Sequence, residues 1–242
     1  MKRVACLAIA FAFALAIAPT RGEVPTGTPT FSNPLSIDNT YFPFVPGVEK
    51  TFTVQNGNAD HVSVEHFTNE TRTFLWNGNL VETRVLEEQD IEDGETVEIS
   101  KNYFAQADDG TVYYFGEVVD LFDGGVIVSH SGSWLVGGPT EPTDPPETAT
   151  DTDPNVFMPA VPEVEDEWKP EDLFPVVDET VEVDKTGTTV TVPVDSFTDC
   201  IKVEESSLLA PEIVHKWYAP GLGFIKSKEQ GEILVLTLVV TP

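Results

Sequence analysis

The chain has 242 residues, with 13 Lys and Arg against 41 Asp and Glu, a formal charge of −28 at pH 7. A surface this acidic repels phosphate backbones and anionic lipid, which excludes nucleic acid as a partner. The two cysteines are Cys6 and Cys200. Once an N-terminal leader is lost no internal disulfide is possible, and stability must come from a core.

Lys2 and Arg3 precede an apolar run from Val4 to Ala18, a charged region and a hydrophobic region too short to span a bilayer comfortably. Residues 1–22 read as a signal peptide. Their removal leaves ten bases against 41 acids, a charge of −31. No later segment is apolar enough to cross a membrane as a helix, so the processed chain is expected to be secreted or periplasmic. Residues 23–38, rich in Pro, Thr, Ser and Gly, read as a flexible lead-in to a β domain over 39–242.

Strand-like runs then follow at short intervals. Thr51 to Gln55 precedes Asn56-Gly57-Asn58, and His61 to Phe67 alternates. Thr71 to Trp76 and Leu80 to Leu86 flank Asn77-Gly78-Asn79, a strong hairpin signal. Thr96 to Gln106 and Val112 to Glu117 flank Asp108-Asp109-Gly110, predicting a central hairpin buried on both faces. From Pro139 to Asp172 the chain holds eleven acids and one base. Residues 139–155 have neither periodicity nor a large apolar residue and read as a disordered acidic insert. Strands resume at Val177 to Val183 and continue to Ile233 to Val240. The expected fold is all-β. It is a single antiparallel meander domain, closed into a barrel or a two-layered curved sheet, with one long acidic loop.

Catalytic signatures are missing. There is no Gly-x-Ser-x-Gly elbow, no His-Glu-x-x-His and no phosphate-binding glycine loop, and no cofactor is expected. His61, His66, His130 and His215 are too scattered to imply a metal site. Asp151-x-Asp153-x-Asn155 has the opening spacing of a calcium loop, but Val156 and Pro162 stand where Gly and Glu are needed. Weak, non-specific divalent binding along the insert is the cation chemistry this spacing leaves open. Cys200 has no base brought near it and reads as a small core filler. On a regular strand Tyr113, Phe115 and Glu117 share one face, a candidate ligand-binding face with an acid at its end. Lys216 and Tyr218 share another, completing the candidate set. Lys202, Lys216, Lys226 and Lys228 form a basic area, the expected dock for the acidic insert.

The run Tyr103-Phe104-Ala105-Gln106 followed by Asp109-Gly110-Thr111-Val112-Tyr113-Tyr114-Phe115-Gly116-Glu117 resembles the hallmark of a family of uncharacterised exported bacterial β-proteins. Asn39-Thr40-Tyr41-Phe42-Pro43, Gly132-Ser133-Trp134, Met158-Pro159-Ala160 and Lys216-Trp217-Tyr218-Ala219-Pro220-Gly221 agree with it in order. The insert between Gly137 and Phe157 departs from it. The resemblance implies a bacterial source and a single β domain, and it identifies no catalytic residue or partner. The reading it leaves in front is an exported, non-catalytic β domain that binds a small ligand or an envelope partner. Behind it stand a carboxylate-dependent secreted hydrolase and an acidic, calcium-responsive matrix or adhesion component.

Overall fold

The structure, a computed structural model, describes residues 24–55 and 61–242. The leader read at 1–22 and the Asn56-Gly57-Asn58 turn lie outside them. The described residues form strands and no helix: β1 (Asp38–Asn39), β2 (Phe42–Pro43), β3 (Glu49–Val54), β4 (Val62–Trp76), β5 (Asn79–Glu92), β6 (Glu95–Gln106), β7 (Val112–Asp123), β8 (Val126–Ser129), β9 (Trp134–Val136), β10 (Ala149–Asp151), β11 (Asn155–Met158), β12 (Glu167–Leu173), β13 (Val177–Val192), β14 (Asp195–Ser206), β15 (Val214–Ala219), β16 (Gly223–Glu229) and β17 (Glu232–Val240). Residues 61–76, read as two strands, make the single strand β4, whose register against β5 shifts between Phe67 and Thr71.

All but β1 and β2 belong to one sheet. Its path runs β10-β9-β7-β6-β5-β4-β3-β17-β16-β15-β14-β13-β12, with β8 and β11 also on β7. Neighbours are antiparallel except β9 and β10, which are parallel. The sheet curls into a nearly closed barrel. β11 pairs with β7 and brings the Phe157 carbonyl to the Trp168 indole N–H of β12 at 3.0 Å. Side chains rather than a ladder thus cover the last gap, which limits exposed strand edges. Pro170, which cannot donate to a ladder, sits where the β12–β13 register shifts, on the edge strand that tolerates it.

One apolar cluster gathers Phe42, Phe67, Phe104, Phe115, Trp134 and Ile201. A second gathers Phe52, Val190, Cys200, Ile225 and Leu236. Phe224 packs on both. Cys200 is the buried filler expected of it.

Two segments read as mobile make contacts with the barrel. In the lead-in, Phe31 meets the rings of Trp76, Tyr113 and Phe115 edge-on at 5.7–6.0 Å. Asp108, on the central hairpin turn, accepts hydrogen bonds from the Ser32 backbone and the Thr30 and Ser32 hydroxyls. Residues 139–155 are not a free loop either. Asp144 accepts the Thr140 and Glu141 backbone N–H groups and receives both terminal nitrogens of Arg72, at 2.7 and 2.8 Å. The two charged side chains are each 3% exposed. The guanidinium lies 4.9 Å from the Phe74 and Tyr103 ring centroids. Composition concealed this because polar bonds and a short parallel strand, not apolar burial, hold the segment. The late lysines take no part: Lys202 binds Asp184 at 2.6 Å, Lys226 lies over Trp217, and Lys216 points elsewhere.

Candidate functional site

The barrel encloses a cavity of about 200 Å³. Its walls carry a belt of polar side chains that strand register explains. Residues directly opposite on neighbouring strands share a face, and the rungs Lys50–Glu65, Glu65–Glu88, Glu88–Ser100, Asn102–Glu117 and Glu171–Glu179 follow one another around the sheet. Lys216 and Tyr218 enter from β15, and Glu205 of β14 reaches Lys216 at 2.6 Å. Phe42, Phe104, Tyr114, Phe157 and Phe224 supply aromatic walls. Six glutamates therefore stand around two lysines. Like charges placed directly opposite are unfavourable even in water, and here they meet inside the protein.

The sequence-predicted residues divide. Glu117, Lys216 and Tyr218 line the cavity. Tyr113 and Phe115 do not: they are 3% and 0% exposed and pack with Phe31 and Phe74 on the opposite face. The reason is a bulge. Between the rungs Phe104–Tyr114 and Asn102–Glu117, β7 carries one residue more than β6, so the alternation reverses and Glu117 joins Tyr114. Gly116 makes this possible. Its φ is +117°, and a Cβ there would lie 2.2 Å from the Trp134 carbonyl oxygen.

Enclosure sets the protonation of the belt. Burial, then the charge of Glu171 and a hydrogen bond to it, pushes Glu117 well above the usual carboxyl range. Burial and the charge of Glu179 raise Glu171 to about 7. Burial and the charge of Glu65 raise Glu88 to about 8. Glu205 is pushed up by burial and by Glu179, to which it is hydrogen-bonded. Burial works against the Lys216 charge, and Glu205 and Glu179 more than offset it, so the lysine stays protonated. The arrangement amounts to two carboxyl pairs that each retain a proton, Glu117–Glu171 and Glu179–Glu205, flanking one ammonium. Asn102 donates to Glu88 at 3.0 Å and accepts from the Tyr114 hydroxyl. The Trp134 indole N–H is wholly buried and makes no hydrogen bond of normal geometry, although it lies close enough to Glu171 to favour that carboxylate's charge.

Glu171 and Glu179 line both the cavity and an open hollow on the surface, which Glu205, Asp178, Glu212 and Glu229 complete. The carboxyl pairs thus stand between the interior and an acidic mouth.

No family model and no curated protein matches this sequence. Two solved structures are similar to it. One, described as an exported protein with a YmcC-like fold from Bacteroides fragilis, is 12% identical, with a TM-score of 0.44 over 84% of this chain and 100% of its own. The other, described as a lipoprotein from Parabacteroides distasonis, is 13% identical, with a TM-score of 0.39 over 84% and 99%. At these values neither transfers a residue role.

Among the described residues no three His, Cys, Asp or Glu side chains are placed to hold a metal ion. Asp153 accepts the Trp76 indole N–H, and Asp151 accepts the Thr152 backbone N–H. The acids of the apparent calcium spacing thus serve the chain itself. His61 bridges Asp90 and Glu232, and His130 meets Asp120 at 2.8 Å. Sequence reading missed Lys50, Glu65, Glu88, Asn102, Tyr114, Glu171, Glu179 and Glu205. A signal for part of the set was present: a glutamate two residues from an inward apolar residue recurs in Glu65-x-Phe67, Leu86-x-Glu88, Glu179-x-Val181 and Val203-x-Glu205.

Proposed function

We propose that the protein is an exported, non-catalytic β-barrel that binds a small ligand in its interior. The reading for export rests on residues 1–22. The reading for binding rests on one observation, the barrel cavity whose polar belt is built from at least eight strands and shares Glu171 and Glu179 with an acidic surface hollow. A barrel needing only stability would fill this space with apolar side chains, because buried ionisable groups are costly even when paired. A hydrolase built on these acids has less support. Both carboxyl pairs are in hydrogen-bonding contact, whereas the two acids of a retaining glycosidase stand about 5–5.5 Å apart. The calcium-responsive adhesion reading needs a free acidic loop, and residues 139–155 are docked.

The test is a thermal-shift panel of small polar metabolites against the wild type and Ser63→Phe, which places a ring in the cavity. A ligand of this site raises the wild-type melting temperature and leaves the filled variant unmoved. A panel that stabilises neither protein, or both equally, refutes interior binding.

A further inference from the structure

Resting on that reading, we infer that the cavity takes an organic cation, an aliphatic primary amine whose ammonium is held by the Glu117–Glu171 pair and whose methylenes lie on the Phe42, Phe104 and Phe157 rings. Charge count comes first. The belt sets six carboxyls against Lys50 and Lys216, and each lysine is already matched, to Glu65 at 2.9 Å and to Glu205 at 2.6 Å. Four carboxyls remain without a protein cation of their own, and with one proton kept by each pair and by Glu88 the belt carries three negative charges against two positive. An anionic ligand would add to that excess. A neutral polyol leaves the shared protons in place, whereas an ammonium with three donors can take the place of a proton between carboxylates and uses the acceptors.

Ring geometry supports the same class. Phe42, Phe104 and Phe157 stand 4.6–4.8 Å from one another, centroid to centroid, and all three line the cavity. An apolar wall of this kind beside carboxylates suits a molecule with a hydrocarbon body and a charged end, and ring faces attract a cation in their own right. The mouth adds Glu212 and Glu229, so an approaching cation meets negative potential before it enters.

A separate observation is the Trp134 indole N–H. It is fully buried and unpaired, and Trp134 is the register partner of Glu117 on β7 and so shares its face. Glu171, turned to Glu117, lies near that donor without a hydrogen bond of normal geometry to it. An ammonium arriving at the pair displaces the shared proton to solvent, ends the carboxyl–carboxyl hydrogen bond and frees Glu171 to take the indole N–H. One proton leaves as one positive charge enters, so the charge of the site is conserved. The other groups facing the pair are Tyr114 on β7, Glu88 and Glu98 on the β5–β6 side, Glu179 on β13 and Lys216 on β15.

The experiment is isothermal titration calorimetry with 1,4-diaminobutane, in two buffers of different ionisation heat. 1,4-butanediol, equal in length and uncharged, is the comparison. The diamine is expected to bind with release of a proton, about tenfold more tightly at pH 8 than at pH 6, and the diol is not expected to bind. Glu117→Gln and Glu171→Gln are each expected to weaken the diamine at least tenfold, and Ser63→Phe to abolish its binding. Melting curves identify variants that stay folded, and one folded variant of the pair suffices. Equal binding of the diol, diamine binding unchanged by a folded Gln variant, or binding kept in Ser63→Phe overturns the inference. If the diamine gives no heat while a neutral or anionic member of the metabolite panel stabilises the wild type, the cation falls and the interior site stands. If neither binds, both fall.

Discussion

Asp144→Asn tests how residues 139–155 are held. The change keeps the side chain's size and removes its charge, leaving the Arg72 guanidinium buried between Phe74 and Tyr103 without its carboxylate. Breaking a buried pair by removing one partner typically costs about 3–5 kcal/mol. The geometry here, bidentate with both side chains 3% exposed, belongs at that level rather than with surface pairs worth about 0–1 kcal/mol. In a domain of this size 1 kcal/mol moves the melting midpoint by roughly 2–4 °C, so the expected fall is about 6–20 °C. Urea denaturation supplies the free energy, and limited proteolysis should show new cleavage within 139–155. The pairing energy is isolated by a cycle with Arg72→Met, and the double variant should lose less than the sum of the singles. Acid gives an independent check. Burial opposes the Asp144 charge, but hydrogen bonds from Arg72 and from the Glu141 and Thr140 N–H groups prevail and hold its pKa below the usual Asp value. Its stabilisation is therefore complete above about pH 4 and lost as pH falls through the folded value. A melting point within 1 °C of wild type, with no new cleavage, would refute the account.

Other outcomes follow from the barrel interior. Gly116→Ala should cost roughly 2–5 kcal/mol, from its positive φ and the clash with Trp134, whereas Gly124→Ala shares the positive φ but meets no neighbour within 4 Å and should cost less; equal urea melts of the two would remove the bulge argument. Phe115→Ala should lose about 3–5 kcal/mol as a core truncation. Tyr114→Phe, which keeps the ring and gives up the hydroxyl's bonds to Asn102 and Glu117, should lose roughly 1–3 kcal/mol, and the reverse order of stabilities would place the wrong ring in the core. The belt predicts stability falling from pH 5 to pH 8. Glu171 and Glu88, at about 7 and about 8 in the fold, stay protonated where the unfolded chain, with glutamates near ~4.3, has ionised; the advantage is full below the unfolded value and lost as pH rises through the folded ones. Glu88→Gln should flatten that slope, and a slope unchanged in the variant would assign the whole effect to surface repulsion.

The strand plan was legible because turn chemistry is local. Asn77-Gly78, Asp93-Gly94 and Asp108 to Gly110 each sit between the strands that they were read to separate. The faces of the strands were legible only up to the first bulge. A glycine at 116 signals that alternation can break, but the extra residue shows only once Asn102 is known to face Glu117. The docked insert was hidden for a related reason. Its partner Arg72 lies on β4, on the face shared with Phe74 and Trp76, and an arginine among aromatics calls for a buried acid without saying which of 41 it is. The belt depends on sheet closure, which brings Glu171 of β12 against Glu117 of β7 though neither strand pairs with the other.

The seam between β3 and β17 bears on how such a chain is made. Those strands share six rungs, and the Thr237 hydroxyl donates to the Thr51 carbonyl, 186 residues earlier. During synthesis β3 to β7 emerge with one edge open, and they wait for the last strand described before that edge is covered. A chain that crossed a membrane as an unfolded thread would suffer nothing from this delay, because the seam cannot close early. Distant pairing slows folding, and an open edge on β3 invites other chains, so refolding yield is expected to rise with dilution.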